Sequence, residues 1–216
     1  MPYKLAIFDF DGTLADSFPW FLRVINSVAD RYGFRRIDGN DIETLRGYTA
    51  RQLIGHLGLP AWKLPLVARH MRSLAAEHAD EIPLFDGVGP MLRRLSEGGL
   101  RLAVVTSNSE ANVRYVLGPE NAALIDHYAC GASLFGKAAK LRKALKANGV
   151  PGHEAICVGD EIRDHEAATR AGIAFGAVSW GYTRPDALQA HSPAMVFATM
   201  DEIARRLAPR AADMPV

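Results

Sequence analysis

The stretch Leu5-Ala6-Ile7-Phe8-Asp9-Phe10-Asp11-Gly12-Thr13-Leu14 constrains this chain more than any other. Its apolar run reads as a buried strand, and the run stops at two acids and a glycine. Alternation along an extended chain puts Asp9 and Asp11 on the same side, at the strand's end. Gly12 lets the backbone turn sharply there, which leaves nearby peptide N–H groups free to face an anion. Two carboxylates at the mouth of a sheet suit a hard cation such as Mg2+, which prefers oxygen ligands. The plainer alternative is a strand followed by a solvated acidic turn, and the rest of the chain has to decide between the two.

A chain of 216 residues, 49% of them hydrophobic, is enough for one α/β domain or one domain with a sizeable insertion. Its formal charge of +1 gives no electrostatic case for nucleic acid or an anionic membrane. No apolar stretch reaches membrane-spanning length. Met1-Pro2-Tyr3-Lys4 leads directly into the first strand and leaves no room for a signal peptide, so cytoplasmic residence is the default expectation. Cys130 and Cys157 lie in apolar, strand-like contexts, which suits reduced core thiols better than a disulfide or a metal pair.

After Asp11 the pattern becomes helical, with Phe18, Phe21, Leu22, Ile25, Val28 and Ala29 at helical spacing and Asp16 or Ser17 as the cap. Further helices are expected over Asp38 to Leu45, from Thr49 through Leu57, and over Leu64 to Ala79. Residues 17–81 hold no convincing strand and read as a separate helical subdomain, with 1–16 and 82–216 as the core. Beyond it, strands are expected over Leu100 to Val105, Ile125 to Gly131, Ala155 to Val158 and Ile173 to Val178. Helices are expected over Val88 to Leu95, Glu110 to Leu117, from Lys137 through Leu145, Ile162 to Ala171 and Asp201 to Leu207. Pro209 to Val216 looks like a loose tail. Strands alternating with helices imply an α/β fold with a doubly wound parallel sheet, whose ligand crevice lies beyond the C-terminal strand ends. Three of these strands end in polar residues, at Asp9/Asp11, Thr106/Ser107 and Gly159/Asp160, and Lys137 sits beside a fourth.

With these residues the sequence resembles the haloacid dehalogenase superfamily, in its phosphatase branch. The family's first motif stands as Asp9-Phe10-Asp11-Gly12-Thr13, its second as Val104-Val105-Thr106-Ser107-Asn108, its lysine as Lys137, and its fourth as Gly159-Asp160-Glu161-Ile162-Arg163-Asp164. The helical insertion resembles the family's cap domain, and Trp180-Gly181-Tyr182 looks like the phosphoglycolate-phosphatase-like subgroup. The resemblance implies a Mg2+-dependent phosphoric monoester hydrolase. Asp9, Asp160 and the main-chain carbonyl of Asp11 would hold the metal. Asp9 would attack phosphorus and form an aspartyl-phosphate, and Asp11 would serve as acid and base. Phe10, Asp11, Thr106, Ser107 and Lys137 would bind the phosphoryl group, with Asp164 tethering Lys137 or a metal-bound water. Lys140 stands one turn from Lys137, and the pattern of residues alone does not choose between them.

Physically the set suits phosphoryl transfer, since a cation offsets the repulsion between a carboxylate nucleophile and an anionic phosphate ester. Each residue also has a plainer role: Thr106 as a helix cap, Lys137 on a solvated helix face, Asp160 in a turn, Asp164 on a helix surface. Arg46-Gly47-Tyr48-Thr49 resembles the substrate-specificity loop of related caps. Arg46 would there reach an anionic part of the substrate, Gly47 would permit close backbone approach, and Arg51 is a second candidate. The expected partner is a small phosphorylated metabolite, with 2-phosphoglycolate leading, and the expected assembly a monomer or homodimer. A sugar-phosphate phosphomutase and a catalytically silent binding module stay open as rivals.

Overall fold

The protein is described here as a computed structural model, which covers residues 3–131 and 136–208. The expected tail from Pro209 to Val216 lies outside the described residues.

β1 (Leu5–Phe8) is completely buried, and its alternation serves two cores at once. Ala6 and Phe8 join a cluster on one face of the sheet, whereas Leu5 and Ile7 join another on the opposite face. Burying Phe8 alone contributes about 1.5–3 kcal/mol. The remaining strands are β2 (Arg101–Val105), β3 (His127–Ala129), β4 (Ala155–Gly159), β5 (Ala174–Val178) and β6 (Met195–Phe197). All five pairings are parallel, in the order β3-β2-β1-β4-β5-β6. Phe8 lies in register with Val104 on one side and Val158 on the other, so three strand ends finish side by side. The chain winds outward from β1 to β3 and then crosses to β4, which makes the β1/β4 boundary the switch point of the sheet.

Between β1 and β2 the chain runs through α1 (Phe18–Tyr32), α2 (Ile42–Leu45), α3 (Ala50–Leu57) and α4 (Leu64–Glu77), with no strand from residue 18 to 81. It leaves and re-enters the core at one place: Asp16 N–H donates to Pro83 O at 2.8 Å and Phe85 N–H to Leu14 O at 2.9 Å. These helices carry a small cluster of their own around Val28, Leu59 and Val67, while Trp20 and Ala75 pack into the larger core. Thr49 caps α3 in a reciprocal box with Gln52. Ser17 stands at the N-cap of α1 without capping it; its hydroxyl instead lies 3.0 Å from Tyr182 Oη.

Both faces of the sheet are then covered by α5 (Val88–Glu97), α6 (Glu110–Ala122, broken at Gly118–Pro119), α7 (Lys137–Asn148), α8 (Ile162–Ala171), α9 (Pro185–Gln189) and α10 (Met200–Leu207). The doubly wound parallel sheet matches the expected fold class. Two elements gave no usable sequence pattern: α9 is a single turn and a half, and β6 is a three-residue, half-exposed edge strand. Cys130 and Cys157 are both free thiols. Among the described residues no helix is long and apolar enough to cross a membrane.

Candidate active site

The ends of β1 and β4 and the start of α8 bring three buried carboxylates together. Asp9 follows β1 directly, and its N–H donates to Val158 O at 2.9 Å, so the ladder fixes it in place. Asp160 follows β4, and Asp164 lies in the first turn of α8, where its carboxylate accepts from Glu161 N–H at 3.2 Å. Asp9, Asp160 and Asp164 each place a carboxylate oxygen within 4.8 Å of the others. Lys137, the first residue of α7, sets its ammonium 2.9 Å from Asp9 Oδ1 and 2.6 Å from Asp164 Oδ1.

Asp160 is gripped from two sides. Thr13 Oγ1 donates to its Oδ1 at 2.7 Å and Tyr182 N–H to its Oδ2 at 2.8 Å. A Cβ on Gly12 would come 2.3 Å from Asp160 Oδ2, and one on Gly181 would come 2.1 Å from Asp160 Cβ, so this approach needs glycine at both positions.

Burial penalises the ionised carboxylates. It pushes the Asp9 carboxyl up to about 7, and it raises Asp160 well above the ordinary carboxylate range. Burial also raises Asp11, opposed by hydrogen bonds from Asn108 and Ser17. The Lys137 ammonium is likewise penalised by burial, but the carboxylates of Asp164 and Asp9 outweigh that and hold its pKa above the usual lysine value. Three buried carboxylates around one lysine ammonium, with burial penalising the ionised forms of Asp9 and Asp160, form a site that an added cation would stabilise. An all-oxygen, electron-rich donor set of this kind fits a hard divalent cation such as Mg2+.

The structure places the other expected residues as follows. Asp11 turns away from the carboxylate cluster, where Asn108 Nδ2 donates to its Oδ2 at 3.2 Å. The Phe10 ring is fully buried in the core, which leaves only its main chain to face a ligand. Thr106 is buried and does not cap α6; Ser109 does, while Thr106 Oγ1 accepts from Asn108 N–H at 3.1 Å. Lys140 lines the same cleft as Lys137, but its ammonium donates to Thr106 O at 2.7 Å and to Gly131 O, tying two loops together.

Asp9, Thr106, Ser107 and Lys137 form the floor of a cleft of about 410 Å3, which Thr49, Ala50 and Arg51 at the start of α3 line from the inserted helices. Arg46 and Gly47 are not among its lining residues. Instead the Arg46 guanidinium donates to Tyr182 O at 3.1 Å and to Gly181 O at 3.0 Å, and pairs with Glu43 at 2.8 Å. Gly47 packs beside Thr44 O and the Arg184 guanidinium.

Sequence reasoning gave no role to Thr13, Asn108 or Tyr182, although all three stand inside or beside the motifs it singled out. It also passed over Arg163, in the middle of the fourth motif. Arg163 lines the cleft, pairs with Glu161, and has a buried Nε without a partner among the described residues. Its signal was a charged residue in a motif whose spacing depends only on the acids.

A sequence model of the haloacid dehalogenase-like hydrolases matches residues 6–178. The chain is 30% identical over 201 residues to a phosphoglycolate phosphatase of Synechococcus elongatus, covering 93% of this chain and 95% of that one. It is also 30% identical over 212 residues to the tyrosine-protein kinase PtkA of Mycobacterium tuberculosis, covering 94% of this chain and 72% of that one. Among solved structures, the haloacid dehalogenase-like family protein SP0104 from Streptococcus pneumoniae shares the fold with a TM-score of 0.77 at 22% identity, over 94% of this chain and 97% of that one. The strand-end carboxylates, the lysine and the matched span together place this chain in the haloacid dehalogenase-like hydrolase family, to which it belongs.

Proposed function

We propose that the protein is a Mg2+-dependent phosphatase that hydrolyses a small phosphorylated metabolite through an aspartyl-phosphate on Asp9, with 2-phosphoglycolate the leading substrate. One observation carries the reading: the buried Asp9 carboxylate lies at the floor of an open cleft, 2.9 Å from Lys137 and within reach of Asp160. The names of the Synechococcus and Mycobacterium relatives support it, since phosphatase and kinase share phosphoryl transfer.

In this reading Asp9, Asp160 and the Asp11 carbonyl would hold the cation, which would offset repulsion between the Asp9 carboxylate and the substrate's phosphoryl oxygens. An Asp9 oxygen attacks phosphorus; the new O–P bond forms as the bond to the leaving oxygen breaks. Asp11 supplies a proton to that leaving oxygen, a role that its raised pKa suits. It then takes a proton from the water that attacks the same phosphorus, and the bond to Asp9 breaks to release phosphate. Lys137 and Thr106 hold phosphoryl oxygens while charge shifts, and Asp164 keeps Lys137 aimed. Residues 17–81 act as a cap that closes over the cleft, with Arg51 meeting the far end of the substrate and Arg163 its near side.

The test is a screen over phosphorylated metabolites with Mg2+ and with EDTA. The expected result is Mg2+-dependent phosphate release, fastest from a small phosphorylated acid. Absence of release from every compound by folded protein overturns the reading, and retention of the phosphoryl group for return to product marks a mutase instead.

A further inference from the structure

The inserted helices and the Asp160 carboxylate meet on one short piece of core chain, Gly181-Tyr182-Thr183-Arg184. From the helical side, the Arg46 guanidinium donates to Gly181 O at 3.0 Å and to Tyr182 O at 3.1 Å. In the other direction, Arg184 N–H donates to Arg46 O at 3.0 Å and Arg184 Nη1 to Glu43 O at 3.2 Å. The guanidinium also lies 5.5 Å from the centre of the Phe18 ring, which meets the Tyr182 ring edge-on at 4.8 Å. From the active-site side, Tyr182 N–H donates to Asp160 Oδ2 at 2.8 Å.

Gly181 O and Tyr182 N–H belong to the same peptide group. Arg46 therefore holds the carbonyl end of a planar unit whose amide end holds Asp160. A cation on the carbonyl polarises the amide and strengthens the bond that it donates. Planarity also means that a shift of Arg46 re-aims the amide. No slack is left beside it: a Cβ on Gly12 would come 2.4 Å from Tyr182 Cδ2, and one on Gly181 would come 2.1 Å from Asp160 Cβ. The Arg46 side chain is only 22% exposed, and each of its three guanidinium nitrogens is engaged, by these carbonyls or by Glu43.

We infer that Arg46 is a positioning residue for Asp160: acting through the Gly181–Tyr182 peptide, the docked cap orients the carboxylate that receives the divalent cation, so cap docking and metal binding are coupled. The inference rests on the Mg2+ reading above. Groups one step behind a ligand commonly change metal affinity on removal, and coupling of two binding events is reciprocal. Cation binding then tightens the cap before any substrate arrives, and Arg46 contributes to the reaction without touching it.

The experiment is calorimetric titration of Mg2+ into substrate-free wild type, Arg46→Ala and Arg46→Lys, with folding checked by circular dichroism. Arg46→Ala is expected to weaken Mg2+ binding about tenfold. Arg46→Lys should recover a good part, because an ammonium still reaches one carbonyl. Wild-type affinity in folded Arg46→Ala overturns the inference and leaves the metal reading intact. Failure of wild type to bind Mg2+ removes the metal reading, and this inference with it, in the same titration. If Arg46→Ala does not fold, hydrogen exchange of the wild-type amides over residues 43–47 decides. Slower exchange with Mg2+ than with EDTA supports the coupling, and equal exchange overturns it.

Discussion

The sheet and the inserted helices are held in place by different balances of apolar and polar contact. Every residue of β1 and β4 is buried, and apolar clusters cover both faces around them. Within the insertion, α3 buries only Leu57, and the local cluster is built on Val28, Leu59 and Val67. Its seat against the core combines the packing of Trp20 and Ala75 into the larger cluster with polar contacts of Arg46 and Arg184 to carbonyls across the boundary. Apolar burial fixes geometry tightly, whereas a few hydrogen bonds at a boundary allow local opening at modest cost. The groups proposed for the chemistry stand on the core around the sheet, and Arg51, proposed to meet the far end of the substrate, stands on the inserted helices.

The sharpest way to break that contrast is on the sheet. Asp9→Asn keeps the shape and the ladder but loses the nucleophile, and turnover should fall about a thousandfold or more while the melting curve stays cooperative. Turnover like wild type, with deamidation excluded by mass spectrometry, would remove Asp9 from the proposed mechanism. Next in size, Lys137→Ala should cost about a hundredfold in kcat. Lys140→Ala should cost much less, because its ammonium ties loops rather than facing Asp9. A reversed order would move the phosphate contact one helical turn.

A third effect follows from the Asp9 carboxyl, which burial pushes up to about 7. Its pKa is raised above the unfolded value of about 3.9, so this group favours the fold below about pH 4 and loses that contribution as pH rises through 7. A proton also competes with the cation. Mg2+ affinity should therefore fall roughly tenfold from pH 8 to pH 6, and the Mg2+-induced gain in Tm should grow over the same interval as pH rises. Calorimetry and thermal melts at several pH values check both, and a gain in Tm independent of pH would place the cation elsewhere. The smallest effect belongs to the insertion: Arg51 is exposed, so its contact with an anionic substrate is worth about 0.2–1 kcal/mol. Arg51→Ala should lower kcat/KM for a phosphorylated carboxylic acid about two- to fivefold and leave an aryl phosphate nearly unchanged. Equal losses on the two substrates would deny Arg51 any part in selection.

The same division explains what the sequence could tell. Strands buried on both faces must be apolar throughout, so β1, β2 and β4 stood out, and their polar endings marked the cleft before any coordinates. The sequence singled out Arg46 for an anionic part of the substrate, and its placement could not be read. Its partners are main-chain carbonyls 135 and 136 residues away, and a carbonyl has no residue type to read. Lys137 and Lys140 differ only in where one helical turn directs them, which depends on the crossing of α7 over the sheet. Arg163 was hidden for another reason: its neighbours Asp160 and Asp164 define the motif, and nothing in the spacing sets the arginine apart.

The paired crossings at Asp16–Pro83 and Leu14–Phe85 also bear on how such a protein is made and changed. To the folding sheet, everything between them is one loop whose ends are already clasped. The entropy of closing a loop depends only weakly on its length, about 0.6 kcal/mol for each doubling. The sheet is therefore nearly indifferent to how many residues are carried there. An insertion point of this kind accepts a longer, shorter or wholly different module without asking the strands to repack, provided the newcomer spans the same narrow gap. The same clasp works as a socket: a replacement part keeps the strands as they are, and needs its own contact on the Gly181–Tyr182 peptide to replace that of Arg46.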